Sequence, residues 1–385
     1  MTASRPLPWV LIAAAILGSF AATSSGTTRA PFLIDMARDF DVSMPLVANL
    51  VSLTATTWGI TSALGGWASD RVGRRVLLVV APIGLAATMV LQAVSGTFLG
   101  LATWAALSGG FCGTFMGVAM AEVAAQVEDG QRGRALGWVM SGQSLTLLVG
   151  VPMAAAAGEF IGWRGWLVCI GGLAALSSAA LFLTVKPSRR VAAMSRPATR
   201  PKVIPVRVWG LMIAGIAERI CYGLAIVYFA TFLQMTYDLP LAGLAIPLAL
   251  FAIGNVVGTI VGGQLADRLR DRLVTFAASM VASGAAAIAV FWWRPNVETS
   301  VLLGFLYVFL NALGRPALMA SIAAVPESVR GTVMGLQGAS ASVGWVGAAA
   351  LGAAMLGAGG FTGFGPLTAA LAVTGALIAL WCRWQ

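Results

Sequence analysis

Five charged side chains stand inside long apolar stretches of this chain: Arg29, Glu122, Glu218, Arg219 and Arg315. A charge at the centre of a bilayer costs roughly 2.5–3.5 kcal/mol on insertion scales, so each needs a partner, water or a task. Glu218 has the carboxyl that can take up and release a proton within a membrane. Arg219 and Arg315 have the forked guanidinium that grips an anionic group at two points. Two readings stay open. Glu218 is a protonatable coupling group, with Arg219 or Arg315 holding an anionic part of a substrate, or the residues form a static buried ion pair between helices. Neighbours on a helix point about 100° apart, which makes Arg315 a better-placed partner for Glu218 than Arg219. Arg29 follows the hydroxyl-rich run Ser24-Ser25-Gly26-Thr27-Thr28, too polar for lipid and suited to a cavity wall. It reads either as a substrate contact or as a side chain that snorkels outward or pairs with Asp35.

The elements that must position these charges are membrane helices. Of the 385 residues, 59% are hydrophobic and only 10% charged, where a soluble domain carries about 25% charged. Apolar runs of ~20 residues recur along the chain. They predict twelve helices, at 8–33, 45–69, 76–96, 97–127, 134–159, 163–185, 206–236, 240–266, 273–293, 299–325, 332–357 and 365–384. The apolar start from Trp9 is read as the first crossing and not as a cleaved leader. With both termini in the cytoplasm, the inner segments hold 18 lysines and arginines, and the outer loops hold only Arg38, Arg164 and Arg294. That asymmetry orients the chain in the cell's inner (plasma) membrane. It also accounts for the net charge of +10 through lipid headgroups, without nucleic acid. The four cysteines, Cys112, Cys169, Cys221 and Cys382, have no paired spacing, and histidine is absent. No metal site, cofactor or disulfide framework is expected, and each cysteine reads as a small buried packing residue.

Two polar turns repeat. Gly66, Asp70 and Arg71 recur as Gly263, Asp267 and Arg268 at a constant offset of 197, and Arg132-Gly133 with Gly137 recurs as Arg330-Gly331 with Gly335 at 198. A constant offset marks a duplication. The fold class is therefore an all-α integral membrane protein of twelve transmembrane helices in two six-helix repeats. Residues 1–185 form the N-terminal half, 186–205 a basic cytoplasmic linker and 206–385 the C-terminal half. Like-oriented halves of this kind are the parallel-repeat arrangement of one transporter class. The stripes Gly254, Gly258, Gly262 and Gly344, Ala348, Gly352 read as close helix packing. Gln143, Asn255, Asn311, Gln337, Tyr222 and Tyr228 read either as cavity hydrogen-bonders or as glue between helices.

With residues 66–75 and 263–272 the chain resembles the major facilitator superfamily. Its signature loop between helices 2 and 3 runs Gly, three residues, Asp-Arg, one residue, Gly-Arg-Lys/Arg, with a degenerate copy between helices 8 and 9. The resemblance implies that helices 1, 4, 7 and 10, which carry the five charges, line a central cavity. It implies alternating access about a midplane site. It also implies a gating role for Gly66, Asp70, Arg71, Gly73, Arg74 and Arg75, echoed by Asp267 and Arg268. Asp70 resembles the family acid that caps helix 11 and stabilises one conformational state. Glu122, near the inner end of helix 4, resembles an acid that pairs with the loop arginines, with proton carriage the other reading. Gly142, Gly150-Val151-Pro152, Gly158 and Gly162 resemble the glycine-proline motif of the drug- and sugar-efflux proton antiporters. Alanines follow Pro152 where that motif has glycine, and Ala105 stands where those antiporters carry an arginine tied to proton coupling.

The expected function is secondary active transport of a small molecule by alternating access, proton-coupled and outward. Its partners are the bilayer, the substrate and protons, and the chain is expected to be a monomer. Proton-coupled uptake of an organic anion is the alternative, and a transport-dead sensor on the same fold a remoter one. No nucleotide-binding motif or protease-like constellation points to an ATP-driven pump or an intramembrane enzyme.

Overall fold

A computed structural model describes residues 7–128, 131–185, 204–269, 271–293, 296–324 and 327–384, with the side chains at 63, 66, 67, 70, 327–332, 334 and 335 outside the described residues. Its elements are helical: α1 (Trp9–Thr27), α2 (Leu33–Asp39), α3 (Met44–Ala48), α4 (Leu50–Val72), α5 (Arg74–Ala93), α6 (Phe98–Gln126), α7 (Arg132–Leu145), α8 (Val151–Thr184), α9 (Val206–Tyr237), α10 (Ala245–Arg268), α11 (Arg272–Trp292), α12 (Val297–Ala323), α13 (Glu327–Gly359) and α14 (Phe364–Trp381). In lipid a helix satisfies its own backbone, which is why apolar runs of this length take no other form. Nine helical runs among the described residues are long and apolar enough to cross a membrane. Two of them, Arg132–Thr184 with 53 residues and Leu336–Trp381 with 46, are at least twice the ~20 residues one crossing needs. Each changes direction at a glycine with positive φ, Gly162 (65°) and Gly360 (72°).

The chain divides into two compact units. One gathers the residues up to Val42 with those from Leu53 through α8, and the other gathers Ser43–Ser52 with α9 to α14. In the first, α5 packs on α6 and α8, and α1 on α7 and α8; in the second, α10 and α11 pack on α12, α14 on α9 and α11, and α13 on α9 and α3. Glycine controls how closely these helices meet. A Cβ at Gly258 would lie 3.0 Å from Phe309 Cα and 3.1 Å from Ala312 Cβ, and one at Gly254 would lie 2.9 Å from the Phe305 carbonyl. The α10 stripe therefore meets the backbone of α12 directly. Gly344 and Gly223 do the same for α9 and α13: a Cβ at Gly223 would sit 2.6 Å from Ala348 Cβ.

Three sequence expectations are corrected here. The first helix does not stop near residue 33: a 3-10 turn, Ala30–Phe32, leads into α2 and carries the chain to Asp39. Pro31 sits in the first turn, where its missing N–H costs nothing. Cys169 is exposed, not buried, since α8 turns its other face to α1 and α5. In the hydroxyl run, Ser24, Ser25 and Thr28 are buried and consumed between helices: Ser24 pairs with Thr146 at 3.2 Å, Ser25 with Cys112 at 3.4 Å, and Thr28 accepts from Trp166 Nε1 at 2.9 Å. Only Gly26 and Thr27 of that stretch stay partly exposed.

Candidate functional site

In the C-terminal unit, α9 presents Glu218, Arg219 and Tyr222 within one turn, and α12 brings Arg315 to them. Glu218 is 1% exposed. Arg315 donates to Glu218 Oε1 through Nε at 3.0 Å and Nη2 at 2.8 Å. Arg219 reaches the other oxygen, Oε2, only at 3.9 Å. Both guanidiniums lie over the Tyr222 ring, Arg315 at 4.4 Å and Arg219 at 5.8 Å from its centroid. Trp345 of α13 meets Tyr222 edge-on at 5.9 Å. Beside the cluster the Tyr307 hydroxyl donates to the Cys221 carbonyl at 2.5 Å, fastening α12 to α9.

Gly344 on α13 makes room for the base of Arg219. A Cβ there would stand 2.5 Å from Arg219 Cβ and 2.6 Å from its Cγ. The cluster thus holds two cations and one carboxylate. Arg315 neutralises Glu218, and the Arg219 guanidinium makes no hydrogen bond among the described residues. Chemically this is a buried carboxylate held by one guanidinium, next to a second whose donors are left for an anion.

Arg29 lies in the N-terminal unit, at 2% exposure. It neither snorkels nor pairs with Asp35. Its Nη1 donates to Thr54 Oγ1 at 3.1 Å and its Nη2 to Gln92 Oε1 at 2.7 Å. Thr54 and Gln92 escaped the sequence reading, although Gln92 is an amide inside an otherwise apolar helix and could have been flagged for that.

At the turn joining α4 to α5, Gly73 has φ of 97°, a conformation that favours glycine. Arg74 Nη1 stands 3.7 Å from Glu122 Oε2, and Gln126 Nε2 donates to Glu122 Oε1 at 2.8 Å. Arg75 turns the other way, donating to the Phe182 carbonyl at 3.0 Å with its guanidinium 4.9 Å from that ring's centroid. Arg71 is exposed. The side chains of Gly66 and Asp70, named as gating residues, lie outside the described residues, as does that of Arg330. In the second copy of the turn, Asp267 and Arg268 are exposed at the end of α10. There a neighbouring acid takes the structural work: Asp271 caps α11 by accepting from the Val274 amide at 3.3 Å and ion-pairs with Arg383.

The efflux-like stretch on the fifth predicted helix has its own geometry. Pro152 lacks an N–H and its ring crowds the carbonyl four residues back. Residues Thr146–Gly150 form a wide π turn just before it. Thr146 uses that turn to donate to the Phe20 carbonyl at 3.1 Å, and a Cβ at Gly150 would come within 3.2 Å of the Phe20 ring. At the far end of the same unit, Asp39 accepts from Trp163 Nε1 at 2.8 Å and pairs with Arg164.

A sequence model described as the Major Facilitator Superfamily matches residues 14–293 and, in a second match, 211–385. The chain is 30% identical over 161 residues to the uncharacterized MFS-type transporter YwfA of Bacillus subtilis (strain 168), a match covering 41% of this chain and 38% of that protein. It is 28% identical over 303 residues to the chloramphenicol resistance protein of Streptomyces lividans, covering 75% of this chain and 74% of that one. Among solved structures, its fold matches a bacterial homolog of the human lysosomal transporter Spinster, inward-facing and occupied, with a TM-score of 0.81 at 17% identity over 99% of this chain and 98% of the other. It also matches the D-xylose-proton symporter, with a TM-score of 0.78 at 15% identity over 97% of each chain. At such identities the structural likeness concerns the fold.

Proposed function

Because the chain belongs to the major facilitator superfamily, and is therefore a multi-pass membrane transporter, we propose that it moves a small molecule out of the cell by proton-coupled alternating access. Splitting the two longest helical runs at Gly162 and Gly360, and counting α4, gives the twelve crossings of this reading. The halves are 1–185 and 206–385, joined by a basic linker. The chain works as a monomer in the inner membrane with both termini in the cytoplasm, the side to which its basic residues are biased.

The observation that carries the reading is the Glu218–Arg315 pair. A carboxylate at 1% exposure held by a guanidinium can exist charged and paired, or protonated and released, and those two forms bias the protein toward different conformations. Proton antiport follows if the outward-driven substrate and the proton compete for this cluster. The similarity to the chloramphenicol resistance protein over three quarters of the chain supports efflux over uptake. Uptake of an organic anion is the second reading, favoured by the guanidinium of Arg219, which the cluster leaves without a hydrogen bond.

Proteoliposomes loaded at one pH and diluted into another separate these. Chloramphenicol and a panel of lipophilic cations, neutral amphiphiles and organic anions would be followed with the gradient in each direction. Accumulation of a neutral or cationic compound against an oppositely directed proton flux establishes antiport. Accumulation of anions alone, together with protons, establishes symport and overturns the efflux reading.

A further inference from the structure

Arg29 is a buried cation with neutral partners. Of its five N–H bonds, one goes to Thr54 and one to Gln92, and Nε has no hydrogen-bond partner among the described residues. No carboxylate ion-pairs with it among those residues. Asp35, the nearest acid in sequence, makes no ion pair with it among the described residues, and the neighbouring thiol of Cys112 is a neutral group. That thiol is itself engaged with the Ala22 carbonyl and Ser25 Oγ, each at 3.4 Å. Gln92 is fixed by its own donation to the Thr88 carbonyl at 3.1 Å, which turns its Oε1 to Arg29.

A charge buried without a counter-charge costs several kcal/mol even after relaxation. Arg315 solves that problem with Glu218; Arg29 has no such residue among those described, and its unspent donors are those of a group that recognises an anion. The surroundings limit what could enter. Thr54 stands against α6, its Oγ1 3.4 Å from the Ala105 carbonyl, and Gly109 sets the backbone of α6 against that of α4 at the same level. Helices in backbone contact at this level favour a small ion over a larger one.

We propose that Arg29, Thr54 and Gln92 form an enclosed site in the N-terminal unit for one small monovalent anion, a halide such as chloride or a small carboxylate such as formate. The site is independent of whether Glu218 couples protons. The anion supplies the counter-charge that the described residues do not provide and stabilises this unit when bound.

Thermal unfolding of the purified protein in detergent tests it, in sodium isethionate, chloride and formate at equal ionic strength. Isethionate is the bulkier reference anion. Chloride, formate or both are expected to raise the unfolding temperature by about 2–4 °C at saturation. A response to chloride alone identifies a halide site, and to formate alone a carboxylate site. Gln92→Glu places a carboxylate beside Arg29 and should remove the anion response while raising the unfolding temperature in isethionate to that of the anion-bound wild type. Arg29→Gln removes the charge and should also remove the response; if that variant does not fold, Gln92→Glu decides. Identical unfolding of the wild type in all three salts overturns the proposal, as does a wild-type increment retained in Gln92→Glu or Arg29→Gln.

Discussion

Arg315 gives both its Nε and its Nη2 to a single oxygen of Glu218, Oε1, at 3.0 and 2.8 Å. The second oxygen is left to face Arg219 at 3.9 Å. A side-on grip on one oxygen, with a second cation facing the other, leaves the carboxylate shared unequally between two guanidiniums.

Replacing Glu218 with Gln keeps the shape and removes the proton. In proteoliposomes the Glu218→Gln protein is expected to lose accumulation driven by a pH gradient, the internal-to-external substrate ratio falling to unity. Exchange of labelled for unlabelled substrate across the membrane should continue. Gradient-driven accumulation by the variant would leave the pair a static tie between α9 and α12.

The same contact makes a stability prediction with a built-in control. Arg315→Gln leaves the buried carboxylate only the Arg219 guanidinium at 3.9 Å, a loss below the ~3–5 kcal/mol of a fully stranded charge. Glu218→Gln combined with Arg315→Gln removes both charges of the pair and should recover part of that loss, Arg219 then being left without its carboxylate. Unfolding temperatures of the four proteins of this cycle give the coupling directly. Additive single effects would mean that the two side chains do not act as a pair.

Helix contact in the C-terminal unit makes a third prediction. Gly258 and Gly263 lie on the same helix, α10, yet a Cβ at Gly258 meets the backbone of Phe309 while one at Gly263 meets nothing within 4 Å. Gly258→Val is expected to destabilise by about 1–3 kcal/mol through overpacking. Gly263→Val, although it alters the repeated turn, should leave the unfolding temperature unchanged apart from a small helix-propensity term. Equal losses at both positions would mean that the stripe does not set the α10–α12 distance.

Much of this was legible in the chain and some was not, for physical reasons. Helix positions follow from hydrocarbon length, so the apolar runs located most of them to within a few residues, the first two excepted, and the charged interruption at 66–75 marked its turn at Gly73. Arg315 was identifiable as the partner of Glu218 because few other charges exist at membrane depth. The partners of Arg29 were not, because Thr54 and Gln92 are uncharged and lie 25 and 63 residues away. The outward face of Cys169 was hidden for a related reason. In a helix apolar all round, no periodicity tells lipid from protein. In the second repeat, the aspartate that matched by offset, Asp267, is exposed, and the one that does structural work is Asp271, four residues on and off the pattern.

The turn between α4 and α5 carries the last prediction. Glu122 joins α6 to this turn through Arg74 at 3.7 Å, with the Arg74 side chain 38% exposed. An ion pair that open to water contributes no more than ~1 kcal/mol, so it can bias a conformational equilibrium without locking it. Glu122→Gln should therefore change the rate of exchange between conformations by about fivefold or less and leave substrate affinity as it was, because the residue is far along the chain from the Glu218 cluster and in the other unit. Asp70→Asn is expected to act in the same direction, slowing exchange with affinity intact. Gly73→Ala tests the backbone half of the same device. Nothing lies within 4 Å of a Cβ there, so its cost is the strain of φ at 97°, about 1–3 kcal/mol, and it too should show in exchange rate before it shows in binding. Substrate binding by calorimetry beside counterflow rates in proteoliposomes separates the two quantities. Lost affinity with normal exchange in Glu122→Gln or Asp70→Asn would remove this turn from the gate.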